Sequence, residues 1–113
     1  MAAIGVGLML VPLKSGIGAV PADASPQLLA LLRLLGGPFL GIAVLNLMSA
    51  RLPPSPARRA IVIANLLGFG AVTANDIWGV ASGEAREIAR VFLVIHLGFA
   101  AAFAAALLRG RKA

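Results

Sequence analysis

The chain lacks cysteine altogether, and its 113 residues include one histidine and only four acidic residues. Without cysteine there are no disulfides, no thiolate metal ligands and no thiol nucleophile, and the redox compartment is left undetermined. One histidine alone does not build a zinc site, and a bis-histidine haem would need a second copy or a partner. No glycine-rich phosphate loop follows a strand, and no serine is activated by its spacing. We therefore expect neither a cofactor nor an enzyme.

Apolar residues dominate the composition. They make up 60% of the chain, charged residues make up 12%, and the mean hydropathy is +0.97. A soluble domain has about 45–50% apolar and about 25% charged residues. The apolar runs are long and continuous, without the alternation of a membrane barrel. The sequence predicts an all-α integral membrane protein, with room for at most four spans of about 20 residues each.

We predict one transmembrane domain over residues 1–113, with spans at about 1–20, 27–49, 60–82 and 90–108. Ser25-Pro26 and Ser55-Pro56 are typical helix starts, in which serine caps free N–H groups and proline fits the first turn. Because the connecting segments are short, consecutive helices are expected to be antiparallel. The expected architecture is an up-down-up-down four-helix bundle.

The first span is interrupted by Pro12 and Lys14. The apolar residues that precede them are too few to cross a hydrocarbon core of about 30 Å. One interpretation is a helix kinked at Pro12 whose lysine reaches the membrane surface. A cleaved signal peptide ending near the AVPADA stretch and a start codon assigned too late are the alternatives.

Basic residues are concentrated in two segments, the loop between spans two and three and the carboxyl-terminal tail. These residues are Arg51, Arg58, Arg59, Arg109, Arg111 and Lys112. The remaining charges, Lys14, Arg33, Arg86 and Arg90 against Asp23, Asp76, Glu84 and Glu87, sum to zero. Cytoplasmic loops carry the excess of Lys and Arg. We expect a multi-pass protein of a bacterial inner membrane with both termini cytoplasmic, whose basic side contacts anionic lipid and not nucleic acid.

The stretch TANDIWG places an acid, Asp76, inside the apolar third span. On a helical wheel it lies within an arc of about 120° that carries the polar and small residues of the span. That arc holds Asn65, Gly68, Val72, Asn75, Asp76, Gly79 and Ser82. Counted at about 1.5 Å per residue from the outer helix ends, Arg33, Asp76 and His96 lie at one depth, about 10 Å below the surface.

Such residues usually pair, because an isolated charge in the bilayer is costly. We predict a polar cluster in which Arg33 and Asp76 form an ion pair, with Asn75 and His96 as hydrogen-bonding neighbours. One interpretation is structural, in which the cluster fixes helix register. The other is a ligand-binding or proton-handling cluster reached from outside.

Small residues are expected to form the helix-packing seams, since they allow backbones to approach closely. We predict such positions at Gly37, Gly41, Gly68, Gly79 and Gly98. A stripe of Phe92, Phe99 and Phe103 beside His96 has the spacing of a packing face, with an apolar cofactor pocket as the alternative.

The segments LLRLLGGPFLGIAVLN, ARRAIVIANLLGFG and VFLVIHLGFAAAF resemble those of small bacterial four-helix membrane proteins to which no activity is assigned. Small multidrug-resistance transporters are similar in length and helix number, but their first helix carries an essential glutamate, and span one has no acid. We expect an accessory or scaffolding subunit that packs against other membrane subunits or itself. The alternative is a small transporter or binder of an apolar or weakly charged ligand at the polar cluster.

Overall fold

The computed structural model describes residues 1–15 and 20–110. Within them the chain forms five helices and no strand: α1 Ala2–Leu10, α2 Pro12–Ser15, α3 Pro26–Ala50, α4 Pro56–Ser82 and α5 Ala89–Gly110. The predicted all-α class is confirmed. The last three helices correspond to predicted spans two, three and four, each extended by one to four residues at one or both ends.

The helix boundaries follow the local signals in the sequence. The Ser25 hydroxyl accepts a hydrogen bond from the Leu28 amide, and Ser55 accepts one from the Arg58 amide, both at 3.2 Å. Each bond satisfies an amide in the first turn that has no partner within the helix. α4 ends at Ser82 and is capped by Gly83, whose φ of 74° lies in the left-handed region that glycine adopts without steric cost.

The first predicted span is broken at the proline. α1 ends at Leu10, and α2 begins at Pro12, which has no amide hydrogen to continue the α1 hydrogen bonds. Residues 16–19 of this predicted span lie outside the described residues.

The chain divides into two compact units, Met1–Arg51 and the residues from Leu52 onward. In the first unit α1 packs against α3 where two glycines meet. A Cβ atom built on Gly5 would lie 2.8 Å from the Gly36 carbonyl oxygen and 2.9 Å from the Leu40 nitrogen. Only residues without a side chain permit this approach, so the two glycines determine where α1 crosses α3.

In the second unit α4 and α5 form an antiparallel hairpin. Asp76 contacts His96, whereas Phe69, which is earlier in α4, contacts Phe99 and Phe103, which are later in α5. The two helices therefore run in opposite directions. The six residues between the helices begin with Gly83. This short connection fixes the register of the two helices.

Three helices, α3, α4 and α5, are long and apolar enough to cross a membrane. Their large apolar side chains are exposed: Leu34 is 72% exposed, Leu67 68% and Val94 71%. Burying such a side chain is worth about 1.5–3 kcal/mol in water, so these surfaces would be unfavourable in an aqueous solvent. Long apolar helices with exposed apolar faces are the features of a membrane protein.

Candidate functional site

A polar contact joins the two helices of the hairpin. The Nδ1 atom of His96 lies 2.6 Å from Oδ2 of Asp76. The side chains are 23% and 15% exposed, respectively, so each is largely covered but remains partly accessible. Sequence reasoning placed both residues in one cluster, and the structure brings them into direct contact.

The pair has a definite hydrogen-bonding chemistry. An ionised carboxylate only accepts hydrogen bonds, so the ring donates from Nδ1 when Asp76 is ionised. This bond orients the imidazole and leaves Nε2 as an acceptor on the neutral ring, or as a second donor on the protonated ring. Among the described residues of the second unit, Nε2 has no hydrogen-bond partner. The pair can therefore interact with one further polar group.

Aromatic rings flank His96 and pack between the helices. Phe69 stacks on Phe99 at a centroid distance of 4.9 Å and on Phe103 at 5.7 Å. The His96 ring lies 6.2 Å from Phe69 and 6.1 Å from Phe92. Phe99 and Phe103 of α5 therefore pack against α4, whereas Phe92 contacts His96 on its own helix.

Sequence reasoning did not identify Phe69, although it projects from the middle of the α4 face that contacts α5. Two polar residues on the same face, Asn65 and Thr73, are 7% and 6% exposed. The Thr73 hydroxyl donates to the Phe69 carbonyl at 2.7 Å, and the Asn65 amide group donates to the Ile61 carbonyl at 2.9 Å. These three residues recur every four positions, and that spacing was the available signal for the contact face.

The other members of the predicted polar cluster lie elsewhere. Asn75 is exposed on α4, and no side-chain hydrogen bond from it is found within the described residues of the second unit. It precedes Asp76 by one residue and so lies about 100° away around the helix. Arg33 is exposed on α3 in the first unit, and the Arg33–Asp76 ion pair stays a prediction.

The predicted packing glycines differ in their surroundings. A Cβ atom built on Gly79 would lie 3.1 Å from the Cβ of Ala85, so this glycine accommodates the connecting loop. The remaining four would each place a Cβ in open space, with no atom within 4 Å among those described: Gly37, Gly41, Gly68 and Gly98. The close α1–α3 contact instead uses Gly5 and Gly36, which the sequence did not single out.

Three of the predicted basic residues lie around one cleft at the open end of the hairpin. This basic cleft, of about 640 Å³, is lined on one side by Arg58, Arg59 and Val62 and on the other by Ala106, Leu107 and Arg109. Arg51 belongs to the first unit, and Arg111 and Lys112 lie outside the described residues.

Within the described ranges 1–15 and 20–110, no three potential metal ligands come together. Comparisons with protein families, with curated proteins and with solved structures each give no match. Function is therefore inferred from the chain's own residues.

Proposed function

We propose that the chain is an accessory or scaffolding subunit of a bacterial inner-membrane assembly, joined through helix contacts to other subunits or to a second copy. In this proposal the chain crosses the membrane as an up-down-up-down four-helix bundle with both termini cytoplasmic. The observation that carries the proposal is the open glycine surface of the long helices. Gly37 and Gly41 on α3 and Gly98 on α5 leave space into which another helix fits.

Open glycines matter in a bilayer for a physical reason. Lipid tails are as apolar as leucine, so helices associate through close van der Waals packing and hydrogen bonds, not through the hydrophobic effect. Gly98 begins a small-residue pattern that continues through Ala102 and Ala106 on α5. A flat strip of this kind lets a second backbone approach closely, while the rest of the exposed helix surface suits lipid.

The test is the composition of the particle purified from membranes in a mild detergent. Native mass spectrometry should find the chain at a fixed ratio with itself or with another membrane protein. Gly98→Leu should weaken that association about tenfold, which corresponds to the loss of about 1–2 kcal/mol of helix packing. Gly98→Ala is the matched control and should retain most of it, because alanine keeps the strip flat. A wild-type chain that is monomeric at all concentrations contradicts the proposal.

A second candidate is a transporter or binder of an apolar or weakly charged ligand. The observation that favours it is the Asp76–His96 pair, which remains partly exposed and retains hydrogen-bonding capacity at Nε2. Ionisable residues within membrane helices often mark ligand or ion pathways.

The two candidates differ in their response to Asp76→Asn. For a binder, the variant should stay folded and inserted but lose binding of an apolar cation such as tetraphenylphosphonium. Asn75→Ala is the control, since Asn75 is exposed one position away. Equal binding of tetraphenylphosphonium by the wild type and by Asp76→Asn counts against the second candidate.

A further inference from the structure

The basic cleft brings together cations from both helices of the hairpin. Arg58 and Arg59 lie in the first turn of α4, and Arg109 lies in the last turn of α5. The Arg58 guanidinium is held in place because Nη1 donates to the Leu52 carbonyl at 3.2 Å. Arg59 and Arg109 are exposed at the cleft. A guanidinium presents up to five donors in a planar arrangement that matches phosphate oxygens.

These cations have no acidic partner in the described part of the second unit. Its acids are Asp76, which contacts His96, and Glu84 and Glu87, which lie at the opposite end of the hairpin. Like charges that converge without a counter-charge repel one another and attract an anion. The cleft therefore has both the volume and the charge for an anionic ligand, since ligand sites typically measure about 300–1,000 Å³.

The cleft is also apolar on its inner side. Val62 on α4 and the Ala106 and Leu107 pair on α5 line it below the arginines. Both helices continue from there into segments apolar enough to cross a membrane. A free phosphate ion would gain nothing from this wall, whereas a phospholipid would place its phosphate among the arginines and its acyl chain along the apolar side.

We propose that the basic cleft is a binding site for the phosphate headgroup of an anionic phospholipid such as phosphatidylglycerol. The inference is independent of the proposed subunit role, because it needs only the α4–α5 hairpin in a membrane. It also differs from a diffuse attraction between basic loops and anionic lipid, because one lipid is held at a defined position.

The test uses the full chain in a non-ionic detergent, titrated with phosphatidylglycerol and followed by native mass spectrometry. We expect one lipid bound tightly per chain. Each arginine contributes about fivefold to binding, so Arg59→Gln with Arg109→Gln should weaken it about 25-fold. The matched control, Arg86→Gln with Arg90→Gln, removes the same charge at the opposite end of the hairpin and should leave binding unchanged.

Three results would overturn the proposal: equal weakening in the control variant, equal affinity for zwitterionic phosphatidylcholine, or displacement of the lipid by millimolar inorganic phosphate. The first indicates diffuse attraction, the second a site that does not sense net charge, and the third a site for a free anion. Circular dichroism checks that the variants remain helical. If the double variant does not fold, Arg109→Gln alone decides, with about fivefold weaker binding expected and no change overturning the proposal.

Discussion

Replacing Gly36 with alanine tests the packing of α1 on α3. The added Cβ would lie 2.6 Å from the Gly5 carbonyl oxygen and 3.1 Å from the Met9 nitrogen, and it would overlap the Met9 side chain. Two of these three neighbours are backbone atoms, which do not move aside by changing rotamer. Overpacking of this kind costs about 1–3 kcal/mol.

Alanine also favours the helix over glycine by about 1 kcal/mol, which opposes the cost of overpacking. The net loss of unfolding free energy expected for Gly36→Ala is therefore between zero and about 2 kcal/mol. Gly41→Ala on the same helix is the control for helix propensity, because no described atom lies within 4 Å of the added Cβ. The difference between the two variants therefore measures the cost of overpacking. Gly37 is a poorer control, since it precedes Pro38, whose ring restricts the preceding residue.

The assay is unfolding in mixed detergent micelles, followed by circular dichroism. Gly36→Ala should be less stable than Gly41→Ala by about 1–3 kcal/mol. Equal unfolding free energies for the two variants would refute the reasoning, because they would mean that α1 does not rest on Gly36.

The remaining predictions concern the α4–α5 hairpin and use the same unfolding assay. Asp76→Ala and His96→Ala should show a coupling energy of about 0.6–1.7 kcal/mol in a double-mutant cycle, and additive effects would mean that the pair adds no stability. Phe69→Leu should destabilise the hairpin by about 1–2 kcal/mol through lost stacking on two rings, whereas Leu67→Ala, at a side chain 68% exposed, should have no measurable effect. Gly83→Ala should lower the unfolding free energy by about 1 kcal/mol through its left-handed backbone alone, since no described atom lies within 4 Å of the added Cβ. Gly83→Asn should lower it less, because asparagine adopts this backbone conformation more readily.

Much of the helical structure is predictable because its signals are local. Ser25-Pro26 and Ser55-Pro56 mark helix starts, and long apolar runs mark the helices that follow them. The contact between Asp76 and His96 was also predictable from the sequence. A hairpin with a six-residue connection fixes register, so equal distance from the connection places two residues side by side.

Features that depend on distant packing were not predictable in the same way. A helical wheel separates polar from apolar residues, so it drew attention to Asn75 and passed over Phe69. Packing against α5 instead favours the bulky phenylalanine side chain. Gly5 and Gly36 are separated by 31 positions, and nothing local to either indicates the other. Arg33 and Asp76 both lie far along their helices from the connection between α3 and α4, and equal depth alone does not make two residues neighbours.

The arginines of the basic cleft show how one sequence feature carries two kinds of information. Orientation in a membrane depends on the number of basic residues on each side, and Arg51 contributes to that number as fully as Arg59 does. Binding of a headgroup depends instead on convergence, because several donors must reach one phosphate. The sequence supplies the count, but only the antiparallel pairing of α4 with α5 brings Arg109 to Arg58 and Arg59. The composition of a basic loop therefore indicates its side of the membrane. Only the packing of the adjoining helices makes it a candidate binding site.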